Sequence, residues 1–183
     1  MSRIDRRRPS PYDSAAMLAP LPDQIEVERA VATGREYSGQ LPLERLARLQ
    51  GMLHDSQGQV AYTLRFGRTV IGQPMVEVEA DTALPLLCQS SLERFELPVA
   101  VRTRLGLISR EEDESGLPEG YEPCLMQQGL VDPLALIEDE LILTVPVIAR
   151  NPALASSERE QEAPVEVEAK PNPFAALAAL KRK

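Results

Sequence analysis

Val60-Ala61-Tyr62-Thr63-Leu64-Arg65-Phe66-Gly67 alternates large apolar side chains with small or polar ones through eight residues. Successive side chains of a strand point to opposite faces, so Val60, Tyr62, Leu64 and Phe66 share one face and Ala61, Thr63, Arg65 and Gly67 the other. After Gly72 and Pro74 the pattern returns as Val76, Val78 and Ala80, opposed by Glu77, Glu79 and Asp81. Leu97, Val99 and Val101, then Leu105 and Leu107, form a third run. Alternating runs joined by short turns predict an antiparallel meander with one packed face and one wet face.

The flanking sequence supplies the cover for the packed face. Between Gln24 and Gly39, Ile25, Val27 and Tyr37 can seed a further strand. Pro42 suits a first helical turn, and Leu43, Leu46, Leu49 and Leu53 follow at helical spacing, predicting one helix that ends near Gly51. Residues 109–120 gather Glu111, Glu112, Asp113 and Glu114 beside Ser115, Gly116 and Pro118, the pattern of an exposed acidic loop. Tyr121 to Met126 fits a short strand. Asp132 is a natural N-cap before Pro133, with Leu134, Ile137 and Leu141 on one helical face. The apolar run from Leu141 to Ile148 then predicts a final strand around Pro146. The fold class is α+β: mainly an antiparallel β-sheet, a meander of about five to seven strands, with two short helices and a C-terminal tail helix.

A chain of 183 residues suits one domain with tails. Aromatics are 4% and Trp is absent, so the core must be aliphatic; 16 Pro and 10 Gly keep the elements short. Residues 1–22 read as a basic, Pro-rich arm and 23–150 as the α+β domain. Residues 151–170, with five glutamates among Ala, Ser and Pro, read as an acidic disordered linker. Residues 171–183 repeat the cap-plus-proline signal at Asn172 and Pro173. Phe174, Leu177 and Leu180 then recur every third residue, and Lys181, Arg182 and Lys183 fall where a helix dipole favours cations. So short a helix is marginal alone and gains from docking its apolar edge in a groove, on its own domain or on a partner.

The net charge of -8 is unevenly spread. Arg3, Arg6, Arg7 and Arg8 mark one end and Lys181, Arg182 and Lys183 the other, which leaves residues 9–180 at -14. Such a body attracts basic proteins and repels nucleic acid, whereas the ends can touch phosphate. Cys88 and Cys124 are too few for a disulfide framework, and neither a signal peptide nor a membrane span is recognisable. The expectation is a cytoplasmic protein with no membrane contact.

Catalytic chemistry finds little support. His54, the one imidazole, lies beside Asp55 in a turn region, and no phosphate-binding or dinucleotide glycine motif is present. Glu138, Asp139 and Glu140 are successive residues of a helix and point apart, so they are not expected to converge on one bond. Cys88-Gln89-Ser90-Ser91 has Ser where a zinc knuckle needs a second thiolate. No catalytic residue, metal, cofactor or small-molecule substrate is therefore expected. Tyr62 and Phe66 alternating with Arg65 and Arg68 suggest an RNA-binding sheet face as an alternative.

Several segments, in order, resemble the YceD family of bacterial large ribosomal RNA subunit accumulation proteins. They are Gly39-Gln40-Leu41-Pro42-Leu43-Glu44-Arg45-Leu46; Leu87-Cys88-Gln89; Leu117-Pro118-Glu119-Gly120-Tyr121-Glu122-Pro123; Ile137-Glu138-Asp139-Glu140-Leu141-Ile142-Leu143 with Pro146; and Lys170-Pro171-Asn172-Pro173-Phe174-Ala175. The resemblance implies a non-enzymatic role in synthesis, processing or stability of large-subunit (23S) ribosomal RNA. Many members carry a full Cys-x-x-Cys where this chain has Cys88 and Ser91, which argues that metal is dispensable here. Combined with the charge pattern, this predicts a binding protein whose partner is large-subunit ribosomal RNA or a basic ribosomal protein or assembly factor. Phe174, Leu177, Leu180, Lys181, Arg182 and Lys183 would meet a partner, and Arg3, Arg6, Arg7, Arg8, Arg65 and Arg68 would contact RNA. A metal-assisted nuclease is a further alternative, lacking converged carboxylates.

Overall fold

Burial follows the alternation of residues 60–66 strictly: Val60, Tyr62, Leu64 and Phe66 are buried. The structure is a computed structural model that describes residues 21–154. Two short pieces open it, β1 (Ile25–Glu26) and α1 (Val27–Ala32), followed by β2 (Glu36–Pro42). A 3-10 turn (Leu43–Arg45) and α2 (Ala47–Gln50) lead into β3 (Gln59–Arg68), β4 (Pro74–Leu87) and β5 (Arg94–Ile108). An acidic 3-10 segment (Glu111–Gly116), β6 (Glu122–Leu125), β7 (Leu130–Val131) and α3 (Pro133–Thr144) complete the order. The main sheet runs β2-β3-β4-β5-β6, and β1 pairs with β7 separately.

Register explains the core. Phe66 stands opposite Val76, Leu64 opposite Val78 and Tyr62 opposite Ala80, and these continue to Leu105, Thr103 and Val101 of β5. Both apolar faces therefore fall on one side of the sheet, where α1 and α3 pack. The four strands from β2 to β5 are antiparallel as a meander requires, but β6 lies parallel to β5. A parallel pair needs a crossover of about a dozen residues, which the acidic segment between Ile108 and Glu122 provides. Leu117 of that crossover packs on Gly106, leaving no room for a Cβ there.

Three expectations are corrected. Val27 is in a helix, because Val27, Ala30 and Val31 form a buried one-turn stripe. The leucine stripe after Pro42 is fully buried at Leu43, Leu46 and Leu49, yet it is no continuous helix: the chain breaks at Leu46 (φ -92, ψ 79), and Pro42 ends β2. The run Leu141 to Thr144 stays helical and forms no strand around Pro146. Val145, held extended at ψ 118 as a residue before proline prefers, ends α3.

Asp132 caps α3 as expected, its Oδ1 accepting from the Leu134 and Ala135 amides at 2.9 and 3.0 Å. The break at Leu46 has its cause in the same helix. Glu138, 6% exposed, accepts from the Arg48 and Leu49 amides at 2.6 and 3.1 Å through Oε1, and from Arg48 Nε at 2.8 Å through Oε2. A carboxylate from α3 thus caps α2, taking amides that a continuous helix would direct to its own preceding turn. A buried amide, a part-buried amide and a guanidinium lose their acceptor in Glu138→Ala, which is expected to cost about 3 kcal/mol in chemical denaturation. Asp139→Ala, which removes only the exposed ion pair of Asp139 with Arg48, should cost under about 1 kcal/mol.

Glu140 faces the sheet, where Thr103 Oγ1 donates to its Oε2 at 2.6 Å. Burial pushes its carboxyl above the usual range, and the Thr103 bond only partly opposes this. In the window above the ordinary glutamate value of about 4.3, the folded chain holds this proton more tightly than the unfolded one. Stability from this group therefore falls as pH rises through the window. Glu140→Gln keeps an acceptor for Thr103 without the buried charge. Thermal melts should show the variant more stable than wild type near neutral pH, the difference shrinking as pH falls towards about 4.

The described residues divide at residue 150 into a compact unit over 21–149 and the start of a second unit. Of the second, residues 150–154 are described; Asn151 Oδ1 accepts from the Ala153 amide at 3.0 Å. The expected arm up to residue 20, the linker beyond residue 154 and the tail helix lie outside the described residues.

Candidate functional site

The uncovered face of the sheet carries a lattice of charge. In one register row Glu36, Arg65, Glu77 and Arg104 stand side by side on β2, β3, β4 and β5. Arg65 reaches Glu36 at 3.1 Å, Glu77 at 3.5 Å and Glu79 at 2.9 Å. Arg102 pairs with Glu79, and Arg104 lies 3.8 Å from Glu77. The Arg65 hydrogen bond holds the Glu79 carboxyl below its usual range. Each positive charge is answered by a neighbouring carboxylate, so this face has little surplus to offer phosphate.

The pleat separates the residues of the alternative RNA face. Arg65 belongs to the wet face, whereas Arg68 belongs by parity to the packed side and bonds Glu28 of α1 at 3.1 Å. Tyr62 and Phe66 are 6% and 4% exposed beneath the helices, leaving no ring for a base to stack on. The four residues are thus not brought together on one surface. Arg3, Arg6, Arg7, Arg8, Phe174, Leu177, Leu180, Lys181, Arg182 and Lys183 lie outside the described residues.

The groups weighed for catalysis have structural surroundings. His54 is exposed in a turn, its amide donating to the Pro85 carbonyl at 2.8 Å. Cys88 is buried with Sγ 3.3 Å from Ser90 Oγ, and Ser91 is exposed. Burial raises the Cys124 thiol above its ordinary value, which keeps it from acting as a thiolate. Among the described residues, no three His, Cys, Asp or Glu side chains are grouped to hold a metal. Glu138 and Asp139 do converge, contrary to expectation for neighbours on a helix, because the long Arg48 guanidinium takes one through Nε and the other at 2.6 Å. Glu140 points away to Thr103.

A cleft of about 480 Å³ has Leu107, Ile108 and Met126 along it and Glu28, Glu112 and Asp113 at its walls. Arg110 bonds Asp113 at 3.0 Å, while Glu111 and Glu114 are exposed without an ion pair among the described residues. Residues 21–149 hold 21 acidic residues against ten basic ones, and all ten are arginine. Leu107 and Ile108 are 2% and 6% exposed, so the cleft presents mainly its acidic walls and the half-buried Met126. The sequence had marked the acidic segment only as a loop; the cleft arises because the crossover to β6 folds back over the end of β5.

No helix among the described residues is long and apolar enough to cross a membrane. A family model described as "Large ribosomal RNA subunit accumulation protein YceD" matches residues 76–181. The large ribosomal RNA subunit accumulation protein YceD of Haemophilus influenzae is 30% identical over 148 residues, which cover 77% of this chain and 83% of the relative. No solved structure matches.

Proposed function

Since this chain belongs to the YceD family, we propose that it is a non-enzymatic cytoplasmic factor which supports large-subunit ribosomal RNA by binding during subunit assembly. The acidic folded unit takes a basic ribosomal protein or assembly factor, and the terminal Arg and Lys residues touch ribosomal RNA. The observation that carries this reading is the charge separation: a body at -11 over residues 21–149, with an acid-walled cleft, between Arg3 to Arg8 and Lys181 to Lys183. Opposed charge of this kind steers partners together and holds register. Free basic ribosomal proteins attract nucleic acid indiscriminately, so an acidic holder with basic ends can keep one near its RNA without blocking the RNA contact.

Depletion of the protein should lower large-subunit relative to small-subunit ribosomal RNA and raise its precursors; an unchanged ratio would remove the functional reading. Capture of a basic large-subunit protein should weaken steeply with salt, as a charge-driven contact must. Phe174→Ala should reduce capture without lowering the melting temperature. A large loss of stability would show that the tail serves the fold instead.

A further inference from the structure

The ten arginines of residues 21–149 divide into two groups. Seven of them (Arg48, Arg65, Arg68, Arg94, Arg102, Arg104 and Arg110) are in ion pairs. Arg29, Arg35 and Arg45 have no ion pair among the described residues, although carboxylates outnumber arginines about two to one in this unit. Two of the three line one groove of about 440 Å³ between α1 and β2, with Gln24, Glu26, Thr33 and Tyr37. Glu26 shares the groove and pairs with neither arginine.

The groove is rigidly built. Gly34, at φ +56, turns the chain from α1 into β2, and the next residue is clamped: the Arg35 amide donates to the Ala30 carbonyl at 2.8 Å, and its carbonyl accepts from Phe66 at 2.9 Å. The Arg35 guanidinium lies over the Tyr37 ring, 5.5 Å from its centroid. Phe66 meets the same ring edge-on at 6.0 Å and 82°, which fixes its plane. The last carbonyls of α1 do not face a ligand as bare acceptors. Thr33 takes that of Arg29 through its amide and hydroxyl, Arg35 that of Ala30, and Gly34 that of Val31.

We propose that this groove grips single-stranded RNA, Arg29 and Arg35 holding a phosphate while a base stacks on the Arg35–Tyr37 pair. A cation over an aromatic ring gives a base a partner without sequence preference, and the adjacent guanidinium supplies the charge-assisted bonds that phosphate takes. Glu26 and Gln24 line the same groove and can offer an acceptor and an amide to a base edge. An acidic peptide would satisfy the two arginines but gain nothing from the stacked pair, so RNA is favoured. This rests on the ribosomal RNA role proposed above and adds a contact on the folded unit to those of the chain ends.

The test is fluorescence anisotropy of a labelled single-stranded oligoribonucleotide with the full chain, beside photo-crosslinking of a thiouridine-substituted copy. Arg29→Gln with Arg35→Gln should weaken binding about tenfold with unchanged melting temperature, and Tyr37→Leu should weaken it about tenfold with a small loss of stability from the Phe66 contact. The arginine pair should also lower the slope of log affinity against log salt by about 1 to 2. Arg35→Lys, which keeps the charge but loses the planar guanidinium, should fall between. Crosslinks should map to Tyr37 or its neighbours. Unchanged affinity in all variants, with crosslinks confined to the chain ends, would overturn the groove and leave the wider function standing. No RNA binding even at low salt would overturn both this site and the RNA contact of the chain ends. Competition by an acidic peptide at least as effective as unlabelled RNA would reassign the groove to protein.

Discussion

One face of three long strands has to be kept from water, and the helical material available for this is scant. α1 gives fewer than two turns and α2 about one, so neither can be stable unless held from outside. Glu138 does this for α2. A single carboxylate from the one substantial helix ends the ladder of another, about ninety residues earlier in the chain, and fixes how Leu46 and Leu49 enter the core. The charge is retained in a buried place because three hydrogens of two residues are donated to it, and the outer ion pair of Asp139 with Arg48 holds the same guanidinium. Where cover runs out, along Leu97, Val99 and Val101, the packed side of β5 is left half-exposed.

Much of the sheet was legible from its period. Burial at Val60 to Phe66 and Val76 to Ala80 follows side-chain alternation, which depends on nothing beyond the strand itself. The cap at Asp132 was legible for the same reason, since a side chain two residues from the amides it serves needs no tertiary partner. The errors fall where distant groups decide. The leucines at 43, 46 and 49 have helical spacing whether or not the helix is continuous, and the acceptor that breaks it comes from residue 138. The parallel pairing of β6 is likewise set by a crossover whose seat on Gly106 involves Leu117, not by local propensity. α1 was readable in Val27, Ala30 and Val31 but is shorter than the windows in which helical period stands out.

The surface was less legible. Arg65 and Arg68 are three apart, a spacing that shares a face on a helix and divides faces on a strand; recognising the strand should have parted them. Arg35 and Tyr37, two apart on the way into β2, share a side for the converse reason. Arg35 differs from the seven paired arginines in having no ion pair among the described residues, and that is a property of the assembled surface which no spacing reveals.

The exclusive use of arginine in residues 21–149 has a practical and cellular consequence. Side-chain amines occur only at Lys170, Lys181 and Lys183. Lysine acylation and lysine-directed coupling to a dye or a solid support therefore select the last fourteen residues and leave residues 21–149 without a reactive side-chain amine. Charge on that body cannot be erased by lysine acetylation, whereas the cationic end can be neutralised one amine at a time.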